Sequence, residues 1–362
     1  MGCCESKNSE FSPEYFGSSL KSCINTGNTK LLSYCILSYN KQQKSDFNIN
    51  SSFLEEGIGE TNLLGYSLIQ GRLDMFKHIH KSLNADLNTM ENIFEVQGLN
   101  GLSIICENNF LELFEYYAPL YFIMKKTQKT LRNKLKETIE FDDKYDKLIS
   151  AIDNPKDCTY TPIQRACLHG HIGMVGSAIE LSKKMDKVPI ELDVNYVDET
   201  TGDNCALIAC KTGNYSMIKF LHSNHNTDFL LLNKNRENAL QVLAASARLK
   251  HLSEFLQCFI YIVDKIKLDF TYNYQETILL LDYEKVLTFF VSKLSSAGIS
   301  ANKSELETQA NRKTEKNARP ENEENIEKFT LIKLFPELEV SSNISFVSLA
   351  SSHDTSVTSI IF

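Results

Sequence analysis

Apolar side chains recur along the middle of the chain in paired helical stripes, separated by single residues suited to sharp turns. One copy reads Tyr160-Thr161-Pro162-Ile163-Gln164-Arg165-Ala166-Cys167-Leu168-His169-Gly170-His171. Thr161 is a good helix N-cap, because its hydroxyl can accept from an orphan backbone amide. Pro162 suits the first helical position, where no amide is missed. Ala166 and Cys167 are small enough for another helix to approach closely. Gly170 suits the left-handed residue that ends a helix. Met174, Val175, Ala178 and Ile179 then fall on one face of a second helix.

The same offsets recur. Capping residues stand at Ser18, Asn62, Asn100, Thr161, Asn204 and Asn238, and nine residues later come Gly27, Gly71, Asn109, Gly170, Gly213 and Ala247. Beyond each stop the second stripe follows: Leu31, Leu32 and Cys35; Met75, Phe76 and Ile79; Leu113, Phe114 and Tyr117; Met217, Ile218 and Leu221. In the last copy Leu252 and Phe255 keep the pattern and His251 breaks it. Each copy predicts a short helix, a tight turn and a second helix. The spacing is 34 residues from Asn204 to Asn238, and 99 from Asn62 to Thr161, three times 33. Thr161 to Asn204 is 43 residues and Asn100 to Thr161 is 61, so two units carry insertions, the larger at 125–156.

From about Phe11 to Leu294 this grammar resembles the ankyrin-repeat family, whose period is about 33 residues with a Thr-Pro-Leu-His-x-Ala core. Thr161-Pro162-Ile163 with Ala166, Gly170 and His171 is the closest match, and Asp193-Val194-Asn195 matches the family's unit ending. Other copies are degenerate, with Ser19, Leu63, Gly101, Cys205 and Ala239 in the Pro place. The resemblance implies an all-α fold, an ankyrin-like helical repeat solenoid of about six degenerate units with a helical insert. A seventh unit near Thr277 to Leu294 has a poorly formed first helix. The resemblance also implies a protein partner on the concave solenoid surface, with no enzymatic activity, no small-molecule substrate and no cofactor.

Composition sharpens this picture in three places. The 362 residues are 42% hydrophobic and 23% charged, enough apolar content to bury a core. The net charge of -8 argues against nucleic acid as the main ligand. The ten cysteines contain no CxxC pair. Cys106, Cys167 and Cys210 each lie six residues after a cap and Cys23 five, where a small residue faces the neighbouring helix; free Cys serves there as a small hydrophobe. Cys205 has no evident role. His78 and His80 fall on different helix faces, and His222 and His225 lack further ligands nearby in sequence, so no metal site is expected. Phosphate loops, GxGxxG, HExxH, GxSxG and kinase signatures are all missing.

The ends carry separate messages. Met1-Gly2-Cys3-Cys4-Glu5-Ser6-Lys7 has the Gly and Ser of an N-myristoylation signal. One acyl chain binds membranes only marginally, so a second signal is needed. Cys3 and Cys4 are placed for S-palmitoylation, whereas Lys7 is the only cation among the first twenty residues. Gly2, Cys3 and Cys4 are therefore the candidate lipidation sites of an acylated segment over 1–10, and the expected location is the cytoplasmic face of a membrane such as the plasma membrane. Lys125 to Lys136 predicts a basic amphipathic helix with Leu131, Leu135 and Ile139 on one face, followed by acids from Glu137 to Asp146. A solvated excursion with internal charge pairing explains it better than a lipid contact. Residues 295–362 form a polar linker and Ser/Thr-rich tail, expected to be largely disordered. Together these features predict a membrane-tethered ankyrin-repeat adaptor; the alternative is a soluble ankyrin-repeat regulator of an enzyme without a lipid anchor.

Overall fold

The computed structural model describes residues 13–138, 160–224, 227–246 and 252–304. The described residues up to Lys303 pack as one unit.

Helix pairs dominate the described residues. They are α1 (Pro13–Thr26) with α2 (Thr29–Gln43), α3 (Leu63–Ile69) with α4 (Leu73–Lys77), and α6 (Gly101–Glu107) with α7 (Leu111–Thr138). The series goes on with α8 (Pro162–Leu168) and α9 (Ile172–Ser182), α10 (Cys205–Thr212) and α11 (Tyr215–Asn224), and α12 (Ala239–Ala245) and α13 (Leu252–Tyr261). Last come α14 (Tyr274–Leu280) and α15 (Glu284–Ser296). α4 and α13 each end in a π-helical turn, His78–Ser82 and Ile262–Ile266. First helices stack on first helices from α1 to α14, and second helices stack from α7 to α15. The fold is thus a helical repeat solenoid, in which each unit buries its apolar faces against its neighbours.

The caps explain where the first helices begin. The side chains of Asn62, Asn100, Thr161 and Asn204 each accept from the backbone amide three residues on, at 2.7–3.4 Å. Asn238 accepts from both Leu240 and Gln241 at 3.0 Å. The stops are as regular: Gly27, Gly71, Asn109, Gly170 and Gly213 all have φ between 58° and 76°. At Gly71 a side chain is excluded twice, by this backbone conformation and because a Cβ would lie 2.6 Å from the Phe110 ring. Ala247 lies outside the described residues.

Several expectations need correction. Ser18 does not cap; α1 starts at Pro13 and Ser18 lies within it. Leu31 is not buried but 44% exposed, because α2 turns Leu32 and Ile36 inward instead. The seventh pair exists, and its first helix is formed. Asn273 precedes it in a left-handed conformation without a side-chain cap, so the sequence lacks the usual start signal. The 99 residues from Asn62 to Thr161 hold two steps of the array, not three, since α6 packs directly on α8. The spacing is filled by α5 (Leu87–Val96), an extra helix capped by Asp86, and by the excursion after α7. A short antiparallel hairpin, β1 (Phe53–Glu55) with β2 (Gly59–Thr61), precedes α3. The basic stretch from Lys125 continues the unit's own second helix, so that α7 reaches 28 residues. Residues 139–156 of the insert lie outside the described residues.

The cysteines follow the packing logic. Cys23, Cys106, Cys167 and Cys210 are all buried free thiols, as are Cys205 and Cys258. Burial pushes the Cys23 thiol up to about 11 and raises Cys106, Cys205 and Cys210 as well, which suppresses the reactive thiolate. Cys205, in the Pro place, packs against Cys167 of the preceding unit.

Candidate protein-binding surface

The connections between units carry the most ordered polar geometry. Before α10, Asp198 Oδ1 accepts from the amides of Thr200 and Thr201 at 3.0 and 2.6 Å and from the Thr201 hydroxyl at 2.9 Å. The Asp198 amide donates to Asp203 O at 2.9 Å, closing the turn. The next connection repeats the device: Asn233 Oδ1 accepts from the amides of Asn235 and Glu237, and the Asn233 amide donates to Glu237 O. Asn and Asp suit this role because their short side chains imitate a backbone turn. The two connections are tied together by Lys234 N donating to Thr201 O at 3.1 Å and by Asp228 N donating to Asn195 Oδ1 at 2.8 Å.

These rigid connections present apolar side chains outward. Leu230 is 63% exposed, and Val197 and Leu232 are exposed as well; Val188 and Ile190 add to the set in the connection before α10. Leu54 in the β1–β2 hairpin, 81% exposed, occupies the matching place, eight residues before its cap as Leu230 is before Asn238. Leu54 and Leu230 thus stand at matched places ahead of their caps, exposed to solvent rather than drawn into the core. Val197, Leu232, Asn233 and Lys234 line one shallow cleft between the two connections.

A polar strip lies on the first helices. Arg165 Nη1 sits 2.6 Å from Glu107 Oε2 across the α6–α8 interface, and His169 Nε2 lies 3.9 Å from Glu107 Oε1. His171 Nε2 bonds to the Glu107 carbonyl at 2.9 Å and its ring stacks on His169. In the next unit Lys211 Nζ reaches the Tyr160 hydroxyl at 3.5 Å. Buried Asp203 has its carboxyl raised by burial, opposed by Lys211, and its Oδ1 has no hydrogen-bond partner. Burial also raises the Tyr160 hydroxyl.

Sequence reasoning missed Gln164 and Gln241. Each is fully buried and completes a capping box, its Oε1 accepting from the cap amide. Gln164 Nε2 then donates to Tyr196 O and Asp203 O at 2.9 and 3.2 Å, and Gln241 Nε2 to Glu276 Oε2 at 3.2 Å. One side chain thus caps its own helix and fastens the following unit. The signal was present as Thr-x-x-Gln and Asn-x-x-Gln.

Gly2, Cys3 and Cys4 lie outside the described residues, as do His225, His251 and residues 305–362. Among the described residues no group of three or more His, Cys, Asp or Glu is placed to hold a metal ion. His78 bonds Ser33 Oγ at 2.8 Å while His80 bonds the Tyr116 hydroxyl at 2.9 Å, so the two do point to different neighbours. No described helix is long and apolar enough to cross a membrane.

No family model matches the chain, and no curated protein matches it. Among solved structures it is similar to the ankyrin repeat domain of Bcl-3, a member of the IkappaB family, with 13% identity and a TM-score of 0.42 over 75% of this chain and 96% of that one. The human ASB11 ankyrin repeat domain is similar at 12% identity and a TM-score of 0.43, again over 75% and 96%. A chain of the Bdellovibrio bacteriovorus Bd0816 predatory endopeptidase complex with immunity protein Bd3460 is similar at 16% identity and a TM-score of 0.38, over 66% and 96%.

Proposed function

We propose that this chain is a membrane-tethered, non-enzymatic adaptor that binds a protein partner. The carrying observation is the set of exposed apolar knobs, Leu54, Val197, Leu230 and Leu232, on loops fixed by their own hydrogen bonds. Pre-ordered loops lose little conformational freedom on binding, and exposed apolar side chains on such loops suit a macromolecular surface. Lys211, Arg165 and Glu107 on the first helices would add charged contacts that set the orientation of the partner. Lipid on Gly2, Cys3 and Cys4 would hold the array at the cytoplasmic face of a membrane, the myristoyl group supplying weak binding and the thioesters supplying retention.

Two experiments test the reading. Proximity labelling with the intact chain is compared with a Leu54→Ser, Leu230→Ser, Leu232→Ser variant; loss of a defined set of neighbours is expected, and an unchanged set sinks the loop surface. Cell fractionation of a Gly2→Ala variant addresses the tether: a shift to the soluble fraction is expected, and unchanged membrane retention rejects acylation as the anchor.

A further inference from the structure

The first unit of a solenoid has one side with no neighbouring unit, and terminal units ordinarily make that side polar. The far end obeys this: the exposed residues of α15 include Glu284, Lys285, Thr288, Ser292 and Ser295. The near end does not. α2 turns Leu32 and Ile36 inward, and Ser33 Oγ meets His78 Nε2 of the second unit at 2.8 Å. The side of α2 turned away from the second unit carries Leu31, Tyr34 and Leu37, which are 44%, 68% and 67% exposed. Spacing of three residues places them in one stripe along the helix. Lys30 and Lys41 are exposed on the same side, and the helix contains no acidic residue.

We infer that this stripe is a membrane-contact face, in which α2 lies along an anionic lipid surface. Three observations select lipid over a protein occupant. The charged residues of α2 itself are all basic, although the whole chain is acidic at -8. Its apolar residues are one tyrosine between two leucines, flanked by lysines, the composition of a helix lying in the headgroup region. Finally, α1 begins at Pro13, eleven residues after Gly2, a span of about 40 Å at full extension. A lipid on Gly2 therefore delivers this end of the array, and not the far one, to the bilayer. The proposal rests on the membrane-tethered reading above for that delivery, and it gives the array a defined stance: first unit down.

The test separates the face from the anchor. The full chain contains no tryptophan, so Tyr34→Trp introduces a single indole reporter. This chain, also carrying Gly2→Ala and an N-terminal hexahistidine tag, is held on nickel-chelating phosphatidylcholine vesicles with and without phosphatidylserine. Acylation then plays no part in the measurement. The expected result is a blue shift of the indole emission and its quenching by brominated lipid, stronger with phosphatidylserine. Lys30→Glu with Lys41→Glu should abolish the phosphatidylserine dependence, and Leu37→Ser should weaken untagged binding to anionic vesicles by about tenfold. Solvent-like indole emission on vesicles that carry the tethered protein would overturn the proposal. So would a vesicle-free dimer of the Gly2→Ala chain that Leu37→Ser dissociates, since the stripe would then be a contact between copies. Failure of the acyl anchor would show instead in fractionation of the Gly2→Ala chain, which leaves the vesicle result standing.

Discussion

Glu91 offers the sharpest quantitative test of the packing. It sits on α5, fully buried, with Oε1 accepting from Gly101 N at 2.9 Å and from the Tyr117 hydroxyl. Oε2 has no hydrogen-bond partner. Burial pushes the Glu91 carboxyl up from 4.5 to about 7, against the opposing pull of Tyr117, the Gly101 amide and Lys125, while Glu95 adds to the rise. A carboxyl whose folded value is raised holds its proton more tightly in the folded chain. Its contribution is therefore most favourable below about pH 4.5, declines as pH rises, and reaches its full penalty above about pH 7. The gap of roughly 2.5 pH units, at about 1.4 kcal/mol each, amounts to about 3–4 kcal/mol. Glu91→Gln removes the charge and keeps an oxygen to accept from Gly101. Its amide nitrogen inherits the unpartnered place of Oε2, which offsets about 1 kcal/mol. At alkaline pH we expect the variant to be more stable than wild type by about 2–3 kcal/mol, with the advantage vanishing or reversing near pH 4.5. Urea unfolding followed by far-UV circular dichroism across that range gives the difference curve. Parallel stability profiles for the two chains would refute the reasoning, because they would mean that Glu91 titrates alike in folded and unfolded states.

Three further outcomes follow from the geometry. Gly71→Ala should cost about 1–3 kcal/mol, seen as a lower thermal midpoint, since both the left-handed backbone and the Phe110 ring oppose a Cβ. Gln164→Ala should cost about 1–3 kcal/mol and raise hydrogen exchange in both α8 and α10, because it frees the Thr161 amide and unfastens Tyr196 O and Asp203 O together. Arg165→Ala should change the urea midpoint little, by under about 1 kcal/mol, because its ion pair with Glu107 is solvent-accessible.

The parts of the fold legible in the sequence were those decided by one residue and its own backbone. An Asn or Thr cap and a left-handed Gly or Asn nine residues on are local events, so they survived even where the Pro-Leu-His core had degenerated. Ser18 failed because a hydroxyl can equally sit on a helix surface, and only the helix start at Pro13 decides. Leu31 failed because, on a terminal helix, periodicity marks apolar residues without saying which of two sides has a neighbour. The β1–β2 hairpin was missed because three-residue strands are too short for alternation to show. α5 was missed because its Asp86 cap stands outside the repeat offsets. Of the candidate surface, the turn-forming Asp198 and Asn233 gave little hint of the apolar side chains they display, since exposure is set by the stacking of whole units.

The direct stacking of α6 on α8 has a consequence for how the sequence maps onto the array. The path between these touching helices runs through 54 residues, from Asn108 to Thr161. The 28-residue helix α7 lies within that path and is itself packed on α6, so the contact of α6 with α8 does not depend on a short link. Distance along the sequence and step along the array are therefore decoupled at this junction, and the register of the two units is set by the buried face of α6 on α8, where Cys106 meets Cys167.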